Sequence, residues 1–302
     1  MASAQAEAIK AMLIEFGQQR EAEGEITLEE MRANTSSFGE FTAEPDGVIW
    51  EPVDAGGVPA IWAIPDGGAG DRVVEYLHGG GYVLMSAEIY KRLTGHLAKA
   101  VGCRVLSVDY GLAPENPHPG PVNDSVTAYR WLLDQGYRPE HIAISGDSAG
   151  GGLTLATVLK LAADGVPQPA AVVPLSPWTD MEGLGESMRA NADRDVLIKG
   201  DQLKGMTDLF LAGGDPHDPL AAPLYGDYAG ICALYIQVGG DETLLDDARR
   251  VATRAESAGV DVQLDVFPEM QHVFQMAAGN MPEADDAIAR IGAYLRPRLG
   301  LD

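Results

Sequence analysis

From Arg72 to the C-terminus, short apolar runs of strand length alternate with longer stretches of helical periodicity, and this alternation restricts the chain to one fold class. The strand-like runs fall at 73–77, 104–108, 142–145, 171–175, 234–238 and 262–267. Helical periodicity falls between and after them at 87–100, 122–135, 150–163, 243–258 and 283–298. Strands separated by helices join through right-handed crossovers, so the expected architecture is α/β, a mostly parallel sheet with helices on both faces. Ahead of this block, 48–53 and 58–64 flank Asp54-Ala55-Gly56-Gly57 and read as an antiparallel hairpin. With 302 residues and no Pro/Gly/Ser linker, one large domain with an appendage is expected.

Two stretches stand outside the alternation. Residues 6–20 place Ile9, Met12, Leu13 and Phe16 on one helical face, and Thr27-Leu28-Glu29-Glu30 has the spacing of a capping box that opens a second helix ending before Gly39. Between Pro177 and Gly230 lies a helix pattern at 201–211 and a loop rich in Gly, Asp and Pro, without a strand. An insertion of this length between sheet strands reads as an active-site lid. The expected division is therefore N-terminal cap helices over 1–45, a catalytic domain over 46–180 and 230–302, and a cap insertion over 181–229. Met181, Leu184, Met188, Met206, Leu209, Phe210 and Leu211, with Met12, Leu13 and Phe16, supply its apolar side chains. Part of this set packs the cap onto the sheet, and the rest is expected to wall the site.

Composition excludes several functions. No apolar run approaches the ~18 residues of a membrane span, and residues 1–20 lack a basic segment followed by an apolar one, so a cytoplasmic protein without membrane insertion is expected. A net charge of −24 would repel nucleic acid and anionic membranes, and reads as an acidic, solvated surface. The two cysteines, Cys103 and Cys232, open predicted strands and belong to no metal-ligand cluster; reduced core thiols are expected.

The chemistry centres on Gly146-Asp147-Ser148-Ala149-Gly150, where the run 142–145 passes straight into a helical pattern. A Gly-x-Ser-x-Gly is a weak signal alone, but a serine on a sharp strand-to-helix turn is what a nucleophile needs to stand clear of a sheet. Gly146 and Gly150 leave room for the turn, and the Ala149 amide points where an oxyanion would form. Upstream, the strand at 73–77 runs into His78-Gly79-Gly80-Gly81-Tyr82. Glycines there let the backbone turn its amides inward, so Gly79 and Gly80 join Ala149 as expected oxyanion donors.

Six histidines compete for the role of general base. His78 is in the glycine loop, His96 inside a helix, His118 after Pro117, His141 at the start of a strand and His217 in the insertion. Only His272 follows the last strand, where the order serine, acid, histidine puts the base. The acid expected from the same order is Asp241, directly after the penultimate strand, where it would orient the imidazole. Glu242, Asp246 and Asp247 are its rivals, the last two lying in the first turn of a helix where acids ordinarily serve the helix dipole.

Taken together, His78-Gly79-Gly80-Gly81, Gly146-Asp147-Ser148-Ala149-Gly150, Asp241 and His272, with Asp109-Tyr110-Gly111-Leu112-Ala113-Pro114-Glu115 and Ser176-Pro177-Trp178, resemble the hormone-sensitive-lipase-like branch of the α/β-hydrolases, bacterial esterase family IV. The resemblance runs from about Val48 to the C-terminus. It implies an eight-stranded, mostly parallel sheet, a helical cap, and carboxylic-ester hydrolysis without cofactor or metal. In Asp241-Glu242-Thr243-Leu244-Leu245-Asp246-Asp247 the chain departs from the Asp-Pro-Leu that many members carry.

The expected function is a serine carboxylesterase for short- to medium-chain esters, with a small-molecule ester as its partner. A lactone hydrolase or amidase would use the same residues, and a non-catalytic small-molecule receptor on this fold is the alternative from another class. A dehalogenase or epoxide hydrolase is disfavoured because its elbow would carry aspartate in place of Ser148. The oligomeric state, monomer or homodimer, does not follow from these residues.

Overall fold

The computed structural model describes residues 2–24 and 26–302, leaving out the side chains of residues 20–23. Met1, which opens the stretch read above for a leader, lies outside the described residues. Among these, the strands are β1 (Val48–Asp54), β2 (Pro59–Pro65), β3 (Ala69–Leu77), β4 (Cys103–Val108), β5 (Ile142–Asp147), β6 (Ala171–Leu175), β7 (Ala233–Gly239) and β8 (Val262–Phe267). The helices are α1 (Ala4–Glu23), α2 (Leu28–Asn34), α3 (Lys91–Val101), α4 (Gly120–Asp134), α5 (Ala149–Ala163), α6 (Ser187–Ala190), α7 (Gly200–Leu211), α8 (Leu245–Ser257) and α9 (Pro282–Arg298). No helix is long and apolar enough to cross a membrane.

The strands form one eight-stranded sheet in the order β1-β2-β4-β3-β5-β6-β7-β8. The hairpin makes β1 and β2 antiparallel and β2 meets β4 antiparallel; every other pairing is parallel, as the alternation requires. Side chains alternate across the sheet and build a core on each face. Val73 and Leu77 of β3 and Leu106 and Val108 of β4 join α4, α5 and α8 on one face. Val74, Tyr76 and Val105 meet α3 and α9 on the other. There Gly292 brings α9 so close to α3 that a Cβ would strike the Ala100 carbonyl oxygen. The two cysteines are free thiols, Cys103 buried and Cys232 half-buried, and burial pushes both thiols up to about 12.

The N-terminal helices lie against the end of the sheet that carries the glycine loop. Ala6, Ile9, Leu13 and Phe16 recur at helical spacing and face inward, but Met12 is 54% exposed and does not share that face. The Thr27 capping box forms as expected, with the Glu30 amide donating to Thr27 Oγ1 (3.2 Å) and the Thr27 amide to Glu30 Oε2 (2.8 Å). The helix stops at Asn34, earlier than expected, and continues as a 3-10 turn, Thr35–Phe41. Arg32 fastens α2 to the body by donating to the carbonyls of Val83 and Ala113, each at 2.9 Å, and to both Glu115 oxygens at 2.8 Å.

In the insertion, Phe210 is fully buried and stacks on Tyr82 with ring centroids 3.8 Å apart, while Met181 and Leu211 enter the core. Leu184 and Leu209 face solvent and contribute no wall.

Candidate active site

β5 ends at Asp147, and Ser148 takes φ 54° and ψ −120° before α5 begins at Ala149. A serine in this left-handed region is strained, and the turn is held from several sides. The Ser148 amide donates to the Leu175 carbonyl (2.9 Å), and its own carbonyl accepts from the amides of Gly152 and Trp178, each at 2.9 Å. The flanking glycines are there for space: a Cβ on Gly146 or Gly150 would run into the Leu77 carbonyl oxygen.

The loop after β8 brings His272 to the elbow, with Nε2 2.9 Å from Ser148 Oγ. On its far side Nδ1 lies 2.8 Å from Glu242 Oε2. A carboxylate can only accept, so Nδ1 carries the hydrogen and Nε2 is left to accept from the serine hydroxyl. Glu242 is fully buried; its other oxygen accepts from Ser176 Oγ (2.6 Å) and from the Gly239 amide. Burial pushes the Glu242 carboxyl above the usual range, against the pull of the His272 charge and these donors. For His272, burial works downward, but the Glu242 charge and hydrogen bond, helped by the charges of Asp195 and Asp147, prevail and raise it.

The carboxylate that meets the imidazole is thus that of Glu242 and not that of the expected Asp241. The Asp241 carboxylate sits outside the site, 3.3 Å from Lys10 Nζ and 3.9 Å from Arg194. The cause is the backbone of the turn. The Gly240 amide donates to the Phe267 carbonyl (2.7 Å) and the Asp241 amide to that of Met270 (3.2 Å), which presses the turn against the His272 loop. In that orientation the Asp241 side chain points out and that of Glu242 points in, so a shift of one residue exchanges the partner of Lys10 for the partner of His272. Asp247 is also not there for the dipole alone: fully buried, its Oδ2 accepts from the Thr179 and Asp180 amides (2.7 and 2.9 Å) and fixes the loop after β6.

The glycine loop departs by one residue as well. The Gly79 amide, expected to face the reacting oxygen, already donates to Asp147 Oδ1 (3.1 Å) and Tyr90 Oη (3.2 Å). Asp147 is fully buried, accepts from Tyr76 (2.8 Å) and Tyr90 (2.7 Å), and is raised by burial to about 6. Gly80 and Gly81 have φ of 108° and 64° and line the same cavity as Ser148, and among the described residues nothing accepts from their amides. Ala149 provides the first amide of α5, also without an acceptor, at the positive end of the helix dipole. Gly81 escaped the sequence reading although the run of three glycines carried the signal; Glu242 had no signal beyond its place beside Asp241.

The other histidines are engaged elsewhere. His78 is buried and stacks on Tyr110 at 4.3 Å, with Nδ1 2.7 Å from the Gly79 carbonyl oxygen. His96 contacts the Ala43 carbonyl at 2.9 Å, His118 lies 3.1 Å from Asp218, and His217 lies 2.9 Å from Glu182. His141 closes the turn before β5.

Ser148 and His272 open into a cavity of about 680 Å³. Its apolar wall comes from Ile9, Leu13 and Phe16 of α1, Leu203 and Met206 of α7, and Met276. Met206 lies so close to Gly81 that a Cβ there would strike its sulfur.

A family model described as the alpha/beta hydrolase fold matches residues 74–276. An acetyl-hydrolase of Streptomyces hygroscopicus is 40% identical over 264 residues, covering 87% of this chain and 87% of the relative. An esterase of Acinetobacter venetianus is 35% identical over 224 residues, 74% of each chain. Among solved structures, an esterase from the bacterial hormone-sensitive lipase family superimposes with a TM-score of 0.95 at 45% identity, covering 99% of this chain and 100% of the other.

Proposed function

The chain belongs to the α/β-hydrolases, in their bacterial hormone-sensitive-lipase-like branch, and from that premise we propose that it hydrolyses carboxylic esters through an acyl-enzyme formed on Ser148. The observation that carries this reading is the single imidazole of His272 between Ser148 Oγ at 2.9 Å and Glu242 Oε2 at 2.8 Å.

In this mechanism the Ser148 hydroxyl attacks the acyl carbon while Nε2 of His272 takes its proton. The imidazolium that forms is stabilised by Glu242, which also holds the tautomer. Charge developing on the carbonyl oxygen meets the amides of Gly80, Gly81 and Ala149. His272 returns the proton to the departing alcohol, and water repeats the attack on the acyl-enzyme. Asp241 serves outside the reacting groups, where its half-buried pair with Lys10 ties α1 to the acid turn. The N-terminal helices and the insertion act as the cap, and the apolar cavity beneath them suits short- to medium-chain esters.

The test is Ser148→Ala. Turnover of p-nitrophenyl butanoate should fall on the order of a million-fold with the thermal transition preserved, and a serine-directed phosphonate should label the unmodified protein at Ser148 alone. More than a few percent residual activity would remove Ser148 from the role.

A further inference from the structure

The insertion does more than roof the cavity. Glu242 sits on the turn between β7 and α8, and three insertion side chains grip that turn. Asn191 Nδ2 donates to the Glu242 carbonyl (2.8 Å) and the Gly240 carbonyl (3.2 Å). Asp195 Oδ2 accepts from the Thr243 amide (2.8 Å) and hydroxyl (2.9 Å). Ser187 Oγ donates to the Thr243 carbonyl (2.6 Å). The same stretch reaches the histidine loop, where the Val196 amide donates to Oε1 of Gln271 (2.9 Å), the residue before His272. Asp195 Oδ1 in turn accepts from the amides of Leu197 and Ile198, both at 2.9 Å, and so holds the entry to α7.

We propose that Asn191 and Asp195 are positioning residues for the hydrolysis: the insertion clamps the acid turn and the histidine loop together, and Glu242 meets His272 only because this clamp is closed. The inference rests on Glu242 acting as the acid of the reaction.

Two features distinguish this clamp from ordinary packing. Asn191 Nδ2 and Asp195 Oδ2 bond backbone groups at and next to the acid, where a displacement of about an ångström is worth roughly 10²-fold in rate. Asp195 is also fully buried, and among the described residues no lysine or arginine pairs with its carboxylate; Lys199 Nζ reaches only its carbonyl, at 2.7 Å. The acids whose charge acts on His272 are Glu242 from the acid turn, Asp195 from the insertion and Asp147 from the elbow. The Asp195 charge therefore favours the imidazolium of the transition state, which Asn191, being neutral, cannot do.

The experiment compares Asp195→Asn, Asn191→Ala and Glu242→Gln in the full chain, with p-nitrophenyl butanoate as substrate and circular dichroism to confirm folding. Asn191→Ala should lose roughly 10- to 100-fold in kcat, with KM within about twofold and the acid limb of the kcat/KM profile unmoved. Asp195→Asn should lose a similar factor and also shift the acid limb to lower pH, because one negative charge facing His272 has gone. A folded Asp195→Asn with unchanged kcat, or with its acid limb in place, overturns the proposal. Should that variant fail to fold, Asn191→Ala decides: unchanged kcat overturns the clamp and a loss in kcat supports it. Glu242→Gln separates the two levels, since activity surviving there defeats the reading of the acid itself, whereas a failed clamp leaves Glu242→Gln inactive.

Discussion

Glu242 and His272 meet at 2.8 Å, while Asp241, one residue before the glutamate, turns its carboxylate away to Lys10. Of two adjacent acids, one is enclosed with the imidazole and the other forms a half-buried pair with α1.

The pair sets opposite expectations for two conservative changes. Glu242→Gln should cost on the order of 10⁴ in kcat, because an amide facing Nδ1 favours the wrong tautomer and supplies no charge for the imidazolium. Asp241→Asn loses only an ion pair that is partly open to solvent and should change kcat by less than about threefold. Steady-state kinetics on both variants decide it; a more damaged Asp241→Asn would return the acid to the residue first expected.

This off-by-one marks the limit of what spacing reveals. The alternation of runs placed six strands and the hairpin signal the first two, all within a few residues, since the central strands β4 to β7 are buried on both faces and the pattern there has little freedom. What it missed depends on contacts between distant segments. Gly240 and Asp241 are held by the carbonyls of Phe267 and Met270, and Gly79 is claimed by Asp147 and Tyr90, which no local pattern announces. Likewise α3 starts at Lys91 and not at 87, because positive φ at Tyr82 and Met85 and the turns that follow occupy the chain first. β3 reaches back to Ala69 through an irregular pairing with Cys103 that the exposed Gly70 and Asp71 conceal.

Another buried acid, outside the reacting groups, sets a pH dependence of stability. Glu75 on β3 is fully buried between the sheet and α4 and α5, with Ser125 Oγ at 3.0 Å and a further link to Thr157 at 2.8 Å. Burial pushes its carboxyl up to about 8, and Tyr129, the titratable neighbour on α4, is itself pushed upward by burial and by Glu75. The folded pKa lies above the unfolded one, so the contribution is fully present below about 4.5 and is lost as pH rises through about 8. Glu75→Gln cannot ionise. Denaturant unfolding at pH 5 and pH 9 should therefore show a drop in stability for the unmodified protein that is smaller in the variant, by on the order of a few kcal/mol. Equal drops would mean that Glu75 is already ionised in the folded protein.

The last prediction concerns the length of the substrate. The cavity is bounded by Leu13 and Phe16 of α1 and by Met206, whose sulfur abuts Gly81 beside the elbow. Each methylene buried there contributes up to about 0.8 kcal/mol, or nearly fourfold in kcat/KM, until the space is filled. Specificity constants should therefore rise from acetyl to about butanoyl or hexanoyl esters and fall for long chains, which must displace α1 to enter. Met206→Ala removes a flexible side chain from the wall without touching the reacting groups. The optimum should then move up by about two methylenes in either the acyl or the alcohol series, whichever half of the substrate lies against α7. A panel of p-nitrophenyl and simple alkyl esters measures both. Efficient cleavage of long-chain triglyceride emulsions by the unmodified protein, with no short-chain optimum, would show that α1 does not close the cavity.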